Sequence, residues 1–472
     1  MGFDAVVVGA GPNGLAAAIE LARNGWSVCL FEAARTIGGG ARSAELTLPG
    51  VSHDVCAAVF PLGAASPFFK SLPLDKYGVE WLAPPVALAH PFDDGPAALL
   101  EQSMERTCET IGGDSRAWAR LFTPFVNRAD QLLPEILSPL HLPRNPLLAA
   151  RFSMKALQSA TGLADRHFSG RYARGLFAGM AGHSNMRLDK SPTAAFGLLL
   201  TIAGHSVGWP LVKGGAQKLT DALGTYFQSL GGQIVTGTRI SSLKQLPAAR
   251  AVICDVAPRH LMTLAGDGLP SSYQRQLQRF QHGCGVFKVD WALRQPIPWK
   301  DPQCRRAGTL HLGGSLEEIA SGEAIVSNGG HPEHPFVILA QQSVVDETRA
   351  PEGTHTVWAY CHVPNGSTVD MTDRIAAQVE RFAPGFRDCI IGEHRMPPAR
   401  LEAYNANYIG GDISGGLQNI GQIIGRPALR RIPYSTPLRN LYICSSSTPP
   451  GGGVHGMCGY HAARAVLKRF SV

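Results

Sequence analysis

The chain opens with a short apolar run that passes into an amphipathic segment. Residues 5–8 form the apolar run, and residues 15–24 repeat apolar side chains at helical spacing. A second apolar run, 27–32, follows at once. Runs of this length on either side of an amphipathic helix are typical of parallel strands buried on both faces. The pattern therefore predicts a strand, a helix and a second strand at the N-terminus.

The remainder of the chain changes character several times. Residues 44–75 are predicted to be irregular, and residues 97–230 are predicted to be mostly helical, with proline breaks that favour a mobile flap. Later segments rich in β-branched and aromatic residues predict strands. The further predicted helices are 117–133, 193–203, 217–230, 371–382 and 454–468, and the further predicted strands are 233–236, 251–255, 286–293, 309–312, 336–341, 356–362 and 441–444.

Glycines punctuate the first turn as Gly9-x-Gly11-x-x-Gly14, between the first strand and its helix. Glycine lets the backbone turn tightly and approach a pyrophosphate at the positive end of a helix. Glu32 ends the second strand, where a carboxylate accepts hydrogen bonds from the hydroxyls of an adenosine ribose. The unit predicts a dinucleotide site, and at this point NAD and FAD are both compatible with it.

The next glycines narrow the choice of cofactor. Gly38, Gly39 and Gly40 follow Glu32 closely, and Arg42 comes directly after them. A glycine pair followed by arginine lets the chain pass along a pyrophosphate and sets a cation beside it. This continuation is typical of large FAD enzymes and favours FAD over a nicotinamide cofactor.

A second glycine-rich turn lies near the C-terminus. Residues 445–453 separate a predicted strand from the last predicted helix. The free backbone N–H groups of Val454, His455 and Gly456 are expected at the start of that helix. Such groups stabilise negative charge on a reduced flavin ring, and we expect them to face it.

Composition agrees with a large enzyme and excludes several other classes. The 472 residues exceed the size of a single core, and 44% are hydrophobic, so two or more lobes are expected. The formal net charge is +7, without a basic run of the kind that binds nucleic acid. The ten cysteines form no Cys-x-x-Cys pair, and the histidines lack the spacing of zinc ligands. We therefore expect no metal and reduced thiols in a cytoplasmic protein.

These motifs resemble the phytoene-desaturase-like branch of the FAD-dependent amine-oxidase superfamily, and within it the group named pyridine nucleotide-disulfide oxidoreductase domain-containing protein 2. The resemblance covers essentially the whole chain and also rests on residues 53–54, 212–215, 311–318, 404–412 and 447–463. It implies an α/β fold in which a Rossmann-like FAD-binding domain of the glutathione-reductase/amine-oxidase type carries an inserted α+β substrate domain.

The resemblance also implies the domain boundaries and the residues of the site. The FAD-binding domain would comprise 1–75, 205–285 and 405–472, and the substrate domain 76–204 and 286–404, a helical insert plus a β-sheet lobe. The implied catalytic candidates are His455, His53 and Tyr404. The implied FAD contacts are Gly9, Gly11, Pro12, Asn13, Gly14, Glu32, Ala33, Gly39, Gly40, Arg42, Ile240, Ser447, Gly453, Val454 and His455.

The expected function is hydride transfer between flavin N5 and a small apolar substrate, isoprenoid or polyene, as in desaturases, saturases and isomerases of this branch. Oxidation of an amine and a scaffold that keeps FAD without turnover remain as alternatives. A peripheral membrane contact is expected, because the proline-broken insert could open towards a bilayer. Binding of nucleic acid is not expected, and a monomer and a homodimer are both compatible with the sequence. The direction of the reaction and the electron acceptor stay open.

Overall fold

The computed structural model describes residues 2–470. Met1, Ser471 and Val472, at the ends of the predicted FAD-binding domain, lie outside the described residues. Within this range the strands are β1 (Phe3–Val8), β2 (Val28–Phe31), β3 (Ser43–Glu45), β4 (Ser52–Asp54), β5 (Trp81–Leu82), β6 (Val86–His90), β7 (Ala98–Leu100), β8 (Leu211–Val212), β9 (Gln233–Val235), β10 (Ala249–Cys254), β11 (Gly285–Leu293), β12 (Ala307–Leu312), β13 (Val337–Ala340), β14 (His355–Val363), β15 (Ile390–Met396) and β16 (Leu441–Ile443).

Helices occupy the connections and most of the region between β7 and β8. They are α1 (Pro12–Arg23), α2 (Pro61–Ala65), α3 (Pro67–Lys70), α4 (Met104–Ile111), α5 (Ser115–Val126), α6 (Ala129–Ile136), α7 (Pro146–Ala156), α8 (Ala160–His167), α9 (Arg171–Gly182), α10 (Ala194–Val207), α11 (Ala216–Ser229), α12 (Pro258–Ala265), α13 (Ser271–Gln278), α14 (Leu316–Ser327), α15 (Thr372–Phe382), α16 (Phe386–Cys389), α17 (Pro398–Tyr404), α18 (Ile420–Gly425) and α19 (Met457–Phe470).

A five-stranded parallel sheet carries the N-terminal unit. Its strand order is β16-β10-β1-β2-β9, so the first and last strands of the chain lie two places apart. The apolar run of β1 is buried on both faces, between one core that includes α1, α11 and α19 and a second core that includes α12 and α13. The carboxyl ends of β1, β2 and β10 therefore meet at one edge, where dinucleotide sites of this architecture lie.

The second sheet is mixed and has seven strands, in the order β15-β11-β14-β13-β12-β6-β7. Helices α15 and α16 pack on one face, and the helical segment α5–α10 packs on the other. Both faces are thus covered, because a helix pair buries one row of apolar side chains and the insert buries the alternate row.

The structure corrects several predicted elements. Residues 44–75, predicted to be irregular, contain β3, β4, α2 and α3, and residues 98–100 form a strand inside the region predicted to be helical. The predicted helix 117–133 is two helices, and the turn between them lets both bury apolar side chains in the same core. The last helix begins at Met457 rather than 454, because Gly456 has φ +69°, which a right-handed helix does not allow.

Strand β15 was not predicted. It lies at the sheet edge, and its exposed and half-buried residues alternate along the strand. Edge strands commonly carry charge, which obscures the apolar pattern. None of the helices within residues 2–470 combines the length and the apolar character that crossing a bilayer requires. The domain boundaries given above stay a prediction.

Candidate active site

A cavity of about 1190 Å³ lies between the carboxyl ends of β1 and β2 and the inner face of the seven-stranded sheet. Val8 and Phe31 line it from the first sheet, and Ile338, Trp358 and Tyr360 line it from the second. Pockets for one small ligand usually measure about 300 to 1,000 Å³. The cavity therefore has room for a large cofactor together with a second molecule.

The glycine turn and helix α1 form the first end of the cavity. Gly9, Gly11, Pro12 and Asn13 line it, whereas Gly14 is buried just behind them. Helix α1 begins without a side-chain cap. The first N–H groups of a helix have no intrahelical acceptor, and here that of Gly14 is bonded to a side chain. The N–H groups of Gly11 and Asn13 are left to bind an anion such as a pyrophosphate.

Gly39 and Gly40 bring a second loop against this turn. A Cβ atom on Gly39 would lie 2.9 Å from the Cα atom of Gly11. Gly39 also has φ +53°, a conformation that costs little only for glycine. A Cβ atom on Gly40 would overlap the hydroxyl of Tyr408. Only glycine allows the two loops and their neighbours to close around one linear group.

Glu32 lies at the end of β2, where its carboxylate is fixed by the backbone. Its Oε2 accepts a hydrogen bond from the N–H of Ala10 at 2.8 Å, and its Oε1 accepts one from the N–H of Ala34 at 2.8 Å. Ala33 and Ile240 line the cavity beside it. This corner has an acid and apolar walls, which are the groups that an adenosine needs.

Arg42 lines the cavity but is largely occupied by the protein. Its Nη2 lies 3.3 Å from Oε1 of Glu32 and donates to the carbonyl of Thr36 at 2.8 Å, and its Nε donates to the carbonyl of Ile37. The guanidinium lies 5.4 Å from the ring centre of Tyr404. Arg42 therefore fastens its own loop, and its role beside a pyrophosphate stays a prediction.

Asp255, which sequence reasoning missed, lies beside the glycine turn, at the first end of the cavity. It follows β10 and lines the cavity, and its Oδ2 accepts a hydrogen bond from the N–H of Gly14 at 2.9 Å. Burial raises the pKa of Asp255 to about 7; the Gly14 hydrogen bond opposes that shift and the Glu32 carboxylate adds to it. The available signal was its position at the carboxyl end of a parallel strand.

The C-terminal turn lines the opposite part of the cavity with Gly453, Val454 and His455. The backbone N–H of Met457 donates to Nδ1 of His455 at 3.0 Å, and the hydroxyl of Ser66 donates to the His455 carbonyl at 2.7 Å. Burial lowers the pKa of His455 to about 4, so its ring is neutral at pH 7 and carries its proton on Nε2. Nδ1 is not free to take a proton, and backbone hydrogen bonds to Gly452 and Gly451, which oppose the lowering of the pKa, compete for the donor at Nε2.

The other catalytic candidates and Ser447 are placed differently. His53 is fully buried behind the cavity, where its Nε2 lies 2.8 Å from Oγ1 of Thr47, and it is not among the lining residues that the structure describes. Tyr404 lines the cavity, but its hydroxyl donates to the carbonyl of Gly39 at 3.1 Å. Ser447 is buried behind the C-terminal turn rather than exposed in the cavity. Direct contact of His53 or Ser447 with a ligand in this cavity is thus not supported by the geometry, because both are buried and neither lines the cavity.

Away from the glycine turn, the cavity continues as a chamber with a mostly apolar lining. Its lining there comes mainly from the insert and the sheet, and includes Val59, Leu132, Ile136, Phe152, Leu199 and Trp358. Polar residues interrupt this lining, among them His183, Asn185 and Tyr360, and, on α6, α7 and the segment between them, Glu135, Ser138, His141 and Ser153. Behind Trp358, Lys288 donates to Oδ1 of Asp290. Most of the lining here is apolar, so an apolar molecule fits this chamber.

Comparisons with known proteins agree with this arrangement. A model described as NAD(P)-binding Rossmann-like domain matches residues 7–72. The rat protein named pyridine nucleotide-disulfide oxidoreductase domain-containing protein 2 is 25% identical over 99% of this chain and 93% of its own. A limonene dehydrogenase component from Castellaniella defragrans is 22% identical over 98% of this chain and 94% of its own. A 4,4'-diapophytoene desaturase of Staphylococcus haemolyticus is 21% identical over 95% of both chains.

Solved structures share the fold. An oxidoreductase from Methanosarcina mazei aligns with a TM-score of 0.68 at 16% identity, over 98% of this chain and 99% of its own. Putrescine oxidase with bound putrescine aligns with a TM-score of 0.63 at 17% identity, over 99% of both chains. The predicted resemblance, the Rossmann-like α/β fold and the oxidoreductase class are confirmed.

Proposed function

We propose that the protein binds FAD and adds or removes hydrogen across a carbon–carbon bond of an apolar substrate of isoprenoid or polyene type. The observation that carries this proposal is the continuity of one cavity from the dinucleotide cradle at Gly11 to the apolar chamber at Trp358. A redox cofactor held in the cradle would share that space with an apolar molecule.

The residues present suit FAD. The N–H groups of Gly11 and Asn13 would bind its pyrophosphate, and Glu32 would accept from its ribose. The C-terminal turn at Gly453 and Val454 would border the ring. When bound, the flavin supplies the acceptor or donor of a hydride. The chamber walls exclude water and orient the substrate, which hydride transfer needs more than it needs a strong acid or base.

Two relatives support an isoprenoid substrate, and the one named a desaturase supports the choice of a carbon–carbon bond. One is named a diapophytoene desaturase and the other a limonene dehydrogenase, and both names describe removal of hydrogen from an isoprenoid. Putrescine oxidase shares the fold at 17% identity, so amine oxidation is the competing chemistry.

The test is anaerobic reduction of the bound flavin. The purified holoprotein is mixed with phytoene, with a saturated isoprenoid, with putrescine or with benzylamine, and the loss of oxidised-flavin absorbance is followed. The isoprenoids should bleach the flavin and the amines should not. Bleaching by the amines alone would establish amine oxidation, and a flavin reduced by no donor would establish a scaffold.

A variant that fills the chamber tests whether the substrate binds there, and the same substitution at an exposed position is its matched control. Leu199 lines the cavity, and tryptophan there should block isoprenoid-dependent bleaching while FAD stays bound. Val369 is exposed to 40% on another surface, so Val369→Trp should behave like the wild type. Equal bleaching by both variants would place the substrate outside the chamber.

We also propose that the mouth of the chamber rests on an anionic membrane. Leu140, Leu142 and Leu147 are exposed to 74%, 94% and 77%, and Leu140 lines the cavity. Arg144 and Arg151 are exposed in the same segment. Exposed leucines beside arginines suit a bilayer surface with negative headgroups. Vesicles containing phosphatidylglycerol should carry the protein in flotation, and Leu142→Ser with Leu147→Ser should release it whereas Val369→Ser should not.

A further inference from the structure

We infer that His183 binds an uncharged oxygen atom of the substrate, a carbonyl or a hydroxyl, at one polar point of the apolar chamber. This inference rests on the proposed function, because it treats the chamber as the place of the substrate. It narrows the substrate class from an apolar hydrocarbon to an apolar molecule with one neutral oxygenated position.

The first observation is a pair of histidines. His183 follows the last residue of α9 and lines the cavity, and its Nε2 lies 2.9 Å from Nε2 of His311 on β12. His311 is fully buried, and its ring also packs against Phe336. Burial lowers the pKa of His183 to about 3 and that of His311 well below its usual range. Both rings are therefore neutral, and a single proton lies between the two Nε2 atoms.

The second observation decides which ring donates that proton. Nδ1 of His311 is buried without a hydrogen-bond partner. A buried N–H group without an acceptor is rarer in proteins than a buried acceptor without a donor. His311 is thus protonated on Nε2 and donates to His183, which must carry its own proton on Nδ1. Within residues 2–470 no group bonds to this Nδ1, and His183 keeps partial exposure through the cavity.

The third observation is the conformation of Asn185, which lines the cavity two residues further on. It is the one described residue other than glycine with positive φ, at +53°. Its side-chain Nδ2 donates to Oγ of Ser414 at 2.6 Å, and its backbone carbonyl accepts from the thiol of Cys284. Backbone held in this region by surrounding contacts is typical of functional sites. The side-chain carbonyl of Asn185 is left to accept from a hydroxyl.

Charge limits the ligand to a neutral group. The two facing histidines are uncharged, and Lys288, which lies behind Trp358 of the chamber wall, is bound to Asp290. Glu323 is bound to His362 at 2.8 Å behind the same sheet. A carboxylate would lose its hydration here without gaining a free cation, which is costly. A carbonyl or hydroxyl oxygen gains a hydrogen bond at little cost.

The test compares three probes that share one carbon skeleton: limonene, the ketone carvone and the anion of perillic acid. Binding to the holoprotein is measured by quenching of tryptophan fluorescence, since Trp358 and Trp209 line the cavity. Carvone should bind about fivefold more tightly than limonene. His183→Phe should abolish that difference. His183→Asn, which can place an N–H group near the position of Nδ1, should keep it.

His334 is exposed, so His334→Phe controls for the substitution itself and should keep the wild-type preference. The carbonyl stretch of bound carvone provides a readout that needs no variant: it should fall below its value in an apolar solvent. Equal affinity for carvone and limonene, an unshifted stretch, a preference that survives His183→Phe, or tightest binding of perillic acid would each overturn the inference. No turnover is involved, so failure of flavin reduction remains a separate result.

Discussion

The carboxylate of Asp255 accepts a hydrogen bond from the backbone N–H of Gly14, a residue 241 positions earlier, with 2.9 Å between Oδ2 and the nitrogen. The contact joins the carboxyl end of β10 to the first turn of α1. It places an acid beside Gly11, on which a Cβ atom would lie 2.9 Å from the same oxygen. An anionic cofactor bound at this turn would therefore meet a carboxyl group that must be protonated or moved.

This contact predicts a pH-dependent stability. Burial raises the pKa of Asp255 from 3.8 to about 7, so the folded protein holds this proton more tightly than the unfolded chain. The resulting stability is complete below about pH 4 and is lost as the pH rises through 7. In Asp255→Asn the free energy of unfolding should therefore fall by a few kcal/mol less than in the wild type over this pH range. Urea unfolding of the apoprotein between pH 4 and 8 measures the difference.

The exposed acid Asp267 supplies the control, and Asp267→Asn should keep the wild-type pH profile. For the holoprotein we expect Asp255→Asn to retain FAD better than the wild type above pH 7, because it removes a negative charge near the pyrophosphate. Identical pH profiles for Asp255→Asn and the wild type would contradict the raised pKa.

The sequence predicted the N-terminal strand–helix–strand unit because its contacts are local. Glu32 bonds to Ala10 across 22 residues and to Ala34 across two, within one strand–helix–strand unit. Asp255 and His183 were missed because their partners lie 241 and 128 positions away, where no local pattern records them. The last helix was predicted to begin too early. Gly456 adopts φ +69°, outside the right-handed helical region, so the glycine-rich turn extends through it.

Gly39 provides a second prediction, on cofactor binding. It has φ +53°, and an added Cβ would lie 2.9 Å from Gly11 Cα. Gly366 has φ +73° with open space around it. Both changes to alanine carry similar backbone strain, but Gly39→Ala should also separate the two loops of the cradle. We expect Gly39→Ala to bind FAD at least tenfold more weakly and therefore to lose it on gel filtration. Gly366→Ala should retain FAD. Equal retention would show that the close approach is not needed.

Arg349 provides a prediction on stability. It is fully buried between Asp54 and Asp346, with Nη2 2.7 Å from Oδ2 of Asp54 and Nε 2.8 Å from Oδ2 of Asp346. Removing one partner of a buried ion pair leaves uncompensated charge and costs about 3 to 5 kcal/mol. Arg349→Met should therefore lower the free energy of unfolding by about that amount.

Arg395 is the matched comparison for Arg349, because it also lies between two carboxylates, those of Asp370 and Glu393, but its side chain is 50% exposed. Exposed pairs contribute about 0 to 1 kcal/mol, so Arg395→Met should change the free energy of unfolding little. Chemical denaturation of the two variants side by side measures the difference. A loss of stability equal in both would mean that burial does not set the strength of the Arg349 cluster.

His455 provides the last prediction, on the rate of flavin reduction. Its Nδ1 accepts from the N–H of Met457, so Nε2–H is the ring's remaining donor, for which a ligand in the cavity would compete with the backbone of Gly452 and Gly451. His455→Ala removes both groups, whereas His455→Asn can keep an acceptor for Met457 but has no donor at the position of Nε2. Both variants should retain FAD, and both should slow stopped-flow reduction by the substrate roughly tenfold or more, since a donor aimed at developing charge has effects of this size. Slow reduction in the alanine variant alone would mean that His455 acts by holding the turn, and unchanged reduction in both would exclude a role in the reaction.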